Sequence, residues 1–270
     1  MKDCKVFRVV AAGGSGGSSK LPLLIQGDEP VELVEEDFAG CTKVRTYAFN
    51  RCSNLTKVVL PSTVTEIEGY AFQNCTGLTS ITVPNSVTSI GTGAFGGSGI
   101  VELDIPAGAS IGTSLCSSAQ SLESVVVRGT RDSIPMYTFK DCWKLTHVEL
   151  DDNTRLLDNE AFNRCKALVS ITLPSQLQRM NGSVFYQCES LKSVVVPSRV
   201  DYIGNFAFYG CTSLESITIL RTTSVVALAG VEALQNTNNC PIYVPADKVD
   251  SYKAASNWST YAARIQAIPA

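Results

Sequence analysis

Apolar residues recur along this chain in one phrase. The clearest copy is Ala71-Phe72-Gln73-Asn74-Cys75-Thr76-Gly77-Leu78-Thr79-Ser80-Ile81-Thr82-Val83-Pro84, continuing through Val87, Ile90 and Gly91 to Ala94-Phe95. The phenylalanine returns at 49, 72, 95, 139, 162, 185 and 208, and five of those six steps are 23 residues. The sixth step is 44, which fits coils of 21 and 23 with Cys116 in the phenylalanine place. A fixed period of about 20 to 50 residues marks a solenoid, in which each unit buries its apolar face against the next.

Each unit divides into two local patterns. The segment Leu-x-x-Ile-x-Leu/Val alternates with period two and is rich in β-branched residues, so it predicts a short strand. Its copies begin at Leu55, Leu78, Ile100, Leu122, Leu145, Leu168, Leu191 and Leu214. Pro61, Pro84, Pro106, Pro174 and Pro197 end five of them, because proline cannot donate to a ladder. A second apolar anchor follows at Ile67, Ile90, Ile111, Ile134, Leu157, Met180 and Ile203. The Ala-Phe-x-x-Cys-x-x-Leu portion spaces its apolar residues by three, which suits one helical or 3-10 turn on the opposite side. The fold expected is an α/β repeat solenoid with one parallel strand per coil of about 23 residues. Its eight strands would stack into one sheet of about 35 Å, at about 4.8 Å per step.

Three segments follow. Residues 1–47 read as an N-terminal cap: a strand at 5–12, a Gly/Ser stretch at 13–19, an apolar run at 21–26 and a strand at 30–36. The Gly/Ser stretch fits a hairpin loop or an engineered linker equally well, and composition does not separate them. Residues 48–226 are the solenoid, with Val226 and Val231 still on the lattice and Val231 replacing phenylalanine. Residues 227–270 read as a C-terminal cap. It has a strand at Ile242-Tyr243-Val244 and an amphipathic helix from Asp247 to Ile265, whose Tyr252 and Trp258 cover the open core.

This phrase resembles the BspA-like leucine-rich repeats, over roughly positions 38 to 226. The residues that carry the resemblance are Ala-Phe-x-x-Cys-x-x-Leu-x-x-Ile-x-Leu-Pro-x-x-Val-x-x-Ile-Gly, best seen from Ala71 to Gly91. The departures are the short coil between Phe95 and Cys116 and the missing proline at Arg128 and Asp151, which imply a local irregularity mid-solenoid. The resemblance implies a surface protein of the kind common in anaerobic bacteria and some mucosal protozoa. It also implies adhesion to matrix proteins or between cells, and localisation outside the cell or on its surface.

Charge and cysteine content narrow the reading. Charged residues are 17% of the chain and the net charge is -3, so bulk electrostatics do not support nucleic-acid binding. No run reaches the roughly 18 apolar residues of a membrane span, and Met1 to Gly13 lacks the pattern of a signal peptide. Of ten cysteines, six follow the phenylalanine place by three: Cys52, Cys75, Cys142, Cys165, Cys188 and Cys211. Stacked side chains in one column point the same way, which disfavours disulfides. Ser98 and Ala119 share that column, so the cysteines read as buried thiols acting as small hydrophobes. Cys41, Cys116 and Cys240 lie outside it and carry no signal.

Candidate chemistry is sparse. The single histidine, His147, shares an outward strand face with Glu149, but no nucleophile is signalled beside the pair. Asp151-Asp152-Asn153 lacks the ligand series and glycine of an EF-hand loop and reads as a solvated turn. No catalytic residue, cofactor or metal is expected. What remains is the outward strand face, where the repeat has freedom to vary. Lys57, Glu102, Asp104, His147, Glu149, Ser170 and Thr172 are its candidate ligand-binding residues. The expected function is a non-catalytic, monomeric binding module for an extracellular protein or glycan. The rival is a structural spacer with no ligand of its own.

Overall fold

The computed structural model describes residues 29–129 and 132–269. The strand at 5–12, the Gly/Ser stretch, the apolar run at 21–26 and Cys4 lie outside the described residues. The rest is a stacked series of coils whose strands pair in parallel around a continuous buried interior, as the repeat requires.

The strand face begins at Val31–Leu33, which pairs with Leu55–Val59, which pairs in turn with Ser80–Thr82. A second block joins Glu102–Ile105, Ser124–Val127 and His147–Leu150. A third joins Ser193–Val196, Ser216–Ile219, Ile242–Val244 and Ile265–Ala267. The single sheet expected from the repeat is therefore split in three. The coil at 168–174 forms no strand and keeps one bridge, Ser170 to Ser193. Its Ser-Ile-Thr-Leu differs little from the paired Ser-Ile-Thr at 80–82, so coil stacking, and not propensity, decides the interruption.

The second apolar anchor proves to be a strand as well. Two-residue strands stack in parallel as Lys43–Val44, Glu66–Ile67, Ser89–Ile90 and Ser110–Ile111. They resume as Ser133–Ile134, Leu156–Leu157, Arg179–Met180, Tyr202–Ile203 and Ala227–Leu228. The strand signal was too short for periodicity to reveal, because two residues show no alternation.

The phenylalanine turns do not lengthen into helices. Each is closed by i to i+3 bonds such as Asn50 N–H to Tyr47 O and Cys52 N–H to Phe49 O. Left-handed residues flank the phenylalanine on both sides, for example Tyr70 and Asn74, or Glu160 and Arg164. That conformation stops helix propagation. Alternate N–H groups reach the next coil instead, as Phe49 to Ala71 O and Phe72 to Ala94 O. Cys116 stands in the phenylalanine place, donating to Thr138 O, and is fully buried. Leu115 occupies the usual alanine position there, so volume lost at Cys116 is regained beside it.

The cysteine column consists of free, buried thiols. They also donate. The Sγ of Cys75 lies 2.8 Å from Phe49 O, and those of Cys165, Cys188 and Cys211 reach the carbonyls of Phe139, Phe162 and Phe185. These four thiols thus satisfy the carbonyl of the preceding coil's phenylalanine, and Cys142 reaches that of Cys116 in the phenylalanine place, a role that a pure hydrophobe lacks. Burial pushes the Cys165 and Cys188 thiols well above their ordinary range, and Cys211 up to about 12. Cys41, which carried no signal, is disulfide-bonded.

The end of the repeat differs from the lattice expected. Leu228, not Val226, pairs with Ile203. Phe208 donates to Ala233 O, so Leu234, not Val231, holds the phenylalanine place. Extra residues in the loop around Arg221–Ser224 shift the register. The helix expected from Asp247 to Ile265 is broken into Ala246–Lys248, an α-helix at Val249–Ala254 and a 3-10 segment at Trp258–Arg264. Asn257, at a φ of 63°, makes the break. The break lets Asn257 donate to Leu228 O while Trp258 Nε1 donates to Val226 O and Tyr252 accepts from Val226 N–H. Side chains thereby replace the next coil's backbone partners.

Candidate binding face

Register sets two outward columns. One contains Glu102, Ser124 and His147, then Ser170, Ser193 and Ser216. The other contains Asp104, Val126 and Glu149, then Val195, Thr218 and Tyr243. Side chains of one column are neighbours at about the strand spacing of 4.8 Å. Glu102, Asp104, His147 and Glu149 all fall in the middle block and are exposed. Lys57 belongs to the first block, where it faces Glu32 across one coil at 3.9 Å. Ser170 and Thr172 sit on the coil beside the block that keeps only the bridge from Ser170 to Ser193.

The charged block is not purely acidic. Arg128, at the place where other coils carry proline, closes a bidentate pair on Asp104, with Nε at 2.8 Å from Oδ1 and Nη2 at 2.9 Å from Oδ2. Asp104, and secondarily the charge of Glu149, hold the guanidinium above its ordinary pKa. Gly129 follows at a φ of 80°, and a Cβ there would stand 2.2 Å from Ala107 O, so only glycine permits this exit from the strand. Arg128 was missed as a site residue. Its signal was present as a departure: an arginine where the repeat has proline. Glu102, His147 and Glu149 make no ion pair among the described residues.

Next to this block lies a cleft of about 410 Å³. Ser170 and Thr172 line it with Ser193, Val195 and Leu220. The sequence placed Val195 and Ser193 on the outward face but could not join them to Leu220, which follows the strand one coil further on. Elsewhere, Asp151 and Asp152 are occupied locally. Asp151 Oδ1 accepts from Asn153, and hydrogen bonds from Ser175 hold the Asp152 carboxyl below its usual range. Among the described residues no cluster of three or more metal-ligating side chains occurs, and no helix is long and apolar enough to cross a membrane.

Stacked coils with parallel strands, a leucine at the start of the longer strand segment and a phenylalanine turn opposite define a leucine-rich-repeat solenoid. Residues 42–131 and 132–250 match the family described as BspA type leucine rich repeat region, in six copies. The chain belongs to this family.

Among solved structures, a leucine-rich repeat protein from Bacteroides ovatus is 27% identical with a TM-score of 0.60. The match covers 75% of this chain and 58% of that one. The chain thus spans little more than half the length of that relative. A leucine-rich repeat protein of T. pallidum is 25% identical with a TM-score of 0.35, covering 69% of this chain and 67% of that one. A leucine rich cell surface protein from Faecalibacterium prausnitzii is 21% identical with a TM-score of 0.44, covering 89% and 83%. No curated protein matches the chain.

Proposed function

We propose that this chain is a non-catalytic binding module displayed outside the cell, which recognises a protein or glycan through its strand face. Membership of the BspA type family supports display, and repeats of this class serve generally as scaffolds and not as enzymes. The observation that carries the reading is the middle block. There the outward positions hold Glu102, Asp104, His147 and Glu149 in exposed side-by-side columns that the core does not need. Solenoids bind along such extended surfaces because each coil adds side chains to one continuous face. The spacer reading fits the flanking coils, where Ser, Thr and Val dominate, but it leaves the Asp104–Arg128 clamp without a role.

The test is a protein and glycan array probed with the chain and with a Glu102→Lys, Glu149→Lys variant. A hit lost in the variant supports the face, and a hit retained by it rejects the site assignment. An array without hits favours the spacer. Hydrolytic activity abolished by His147→Ala would overturn the non-catalytic reading.

A further inference from the structure

We propose that the cleft beside the middle block is an anchor pocket for an aliphatic side chain of an extended, basic peptide. This inference rests on the strand-face reading and narrows it to one class of partner.

Four observations converge on the cleft. The first is the interruption of the sheet. His147–Leu150 pairs only with Ser124–Val127, and the coil beyond it holds a single bridge to Ser193. The second is that the core is thinly covered there. Ile171 is 9% exposed, Leu173 7% and Val148 9%, whereas Val125 and Val127 in the adjoining strand are at 0% and 1%. The third is an apolar rim. Val195 and Leu220 are 51% and 41% exposed, among the few large apolar side chains on the described surface, and both line this one cleft. The fourth is the neighbouring charge. Glu149 stands one coil away from Thr172 on the outward face, with Asp104 and Glu102 beyond it in the same block.

These features select an occupant. An apolar floor favours an aliphatic side chain and gives little to a polyhydroxylated sugar. The hydroxyls of Ser170, Thr172 and Ser193 at the rim offer donors and acceptors to an extended backbone, and an extended chain presents alternate side chains to one surface. A lysine or arginine two or three residues from the anchor would span the roughly 10 Å between Val195 and Glu149, two coils at about 4.8 Å each. Glu149 and Glu102, without ion pairs among the described residues, are the charges it would meet. Asp104 is already neutralised by Arg128, which limits the attraction to the carboxylates on either side of that clamp.

The experiment is selection of displayed random linear peptides on the intact chain. Enriched peptides are then synthesised and measured by fluorescence anisotropy against Val195→Asp, Leu220→Asp and Glu149→Lys. All three positions are exposed on the surface, so the variants should fold, which circular dichroism checks. The expected consensus is an aliphatic residue with Lys or Arg two or three positions away. Val195→Asp and Leu220→Asp are expected to weaken binding at least tenfold. Glu149→Lys should weaken it as well, and a Lys→Glu peptide should recover the loss. Peptides that need Glu149 but ignore both cleft variants would overturn the pocket and leave the strand-face reading standing. Peptides indifferent to all three variants would overturn both. Failure to select any linear peptide, alongside an array hit lost in Glu102→Lys, Glu149→Lys, would overturn the peptide and leave the face.

Discussion

The phenylalanine side and the strand face are built by the same coils, yet they behave differently. Along the first, rings stack in two nearly regular runs. Phe49, Phe72 and Phe95 follow at 5.1 and 5.7 Å, and Phe139, Phe162, Phe185 and Phe208 at 5.3, 5.6 and 5.5 Å. Only Cys116 interrupts them. Along the strand face the ladder breaks twice, and the outward chemistry changes from coil to coil. A buried ring has neighbours above and below, so its volume and orientation are dictated by both. An outward strand residue has water on one side and tolerates change. Surface ion pairs such as Lys166 with Glu189 and Lys192 with Glu215 link adjacent coils at little energetic consequence. The contrast teaches that regularity here marks structure, and irregularity marks where recognition can be placed.

The contrast can be broken most forcefully from inside. Phe162→Ala leaves a cavity between two stacked rings and should cost about 3 to 5 kcal/mol in chemical denaturation. A loss below about 1 kcal/mol would mean that the column is not what couples the coils.

A smaller effect is expected one column over. Cys165→Ala removes the donor to Phe139 O and should cost about 1 to 2 kcal/mol. Because burial raises the thiol pKa values, Cys142, Cys165 and Cys188 should resist a thiol-specific chromogenic reagent until the chain unfolds. Rapid labelling in the native state would contradict that burial.

On the strand face the prediction inverts. Val195→Asp should change stability by no more than about 0.5 kcal/mol, since the side chain is half exposed, while altering binding. A large loss of stability would show that the cleft is structural.

The smallest effect concerns pH. The backbone N–H and hydroxyl of Thr46 hold the Glu68 carboxyl below its usual range. A depressed carboxylate contributes stability that is present above the unfolded pKa and lost as pH falls through the folded one. Glu68→Gln should flatten that acid-side slope in a pH series of denaturation midpoints, and an unchanged slope would remove Glu68 from the account.

Much of the architecture was legible because the period repeats contacts. Phe72, Cys75, Leu78 and Ile90 each meet their own equivalents, so a residue's place in the phrase states its environment. The outward positions of Glu102, Asp104, His147 and Glu149 followed from alternation alone. Arg128 did not. Its meaning depends on Asp104 lying one coil back, which the missing proline hinted at without naming a partner. Leu220 was hidden for a similar reason, since it joins the cleft only after the chain has left its strand.

The sequence by itself determined the coil length, the core columns, the strand alternation and the substitution of Cys116 for phenylalanine. These are set by burial, and burial leaves a periodic trace in residue type. Only the tertiary structure decided where the strand ladder breaks, that the second anchor pairs as strands, that the lattice slips to Leu228 and Leu234, and that Asn257 divides the terminal helix. Those outcomes depend on the offset between one coil and the next. Backbone hydrogen bonds respond to that offset within fractions of an ångström, and no single repeat unit encodes it.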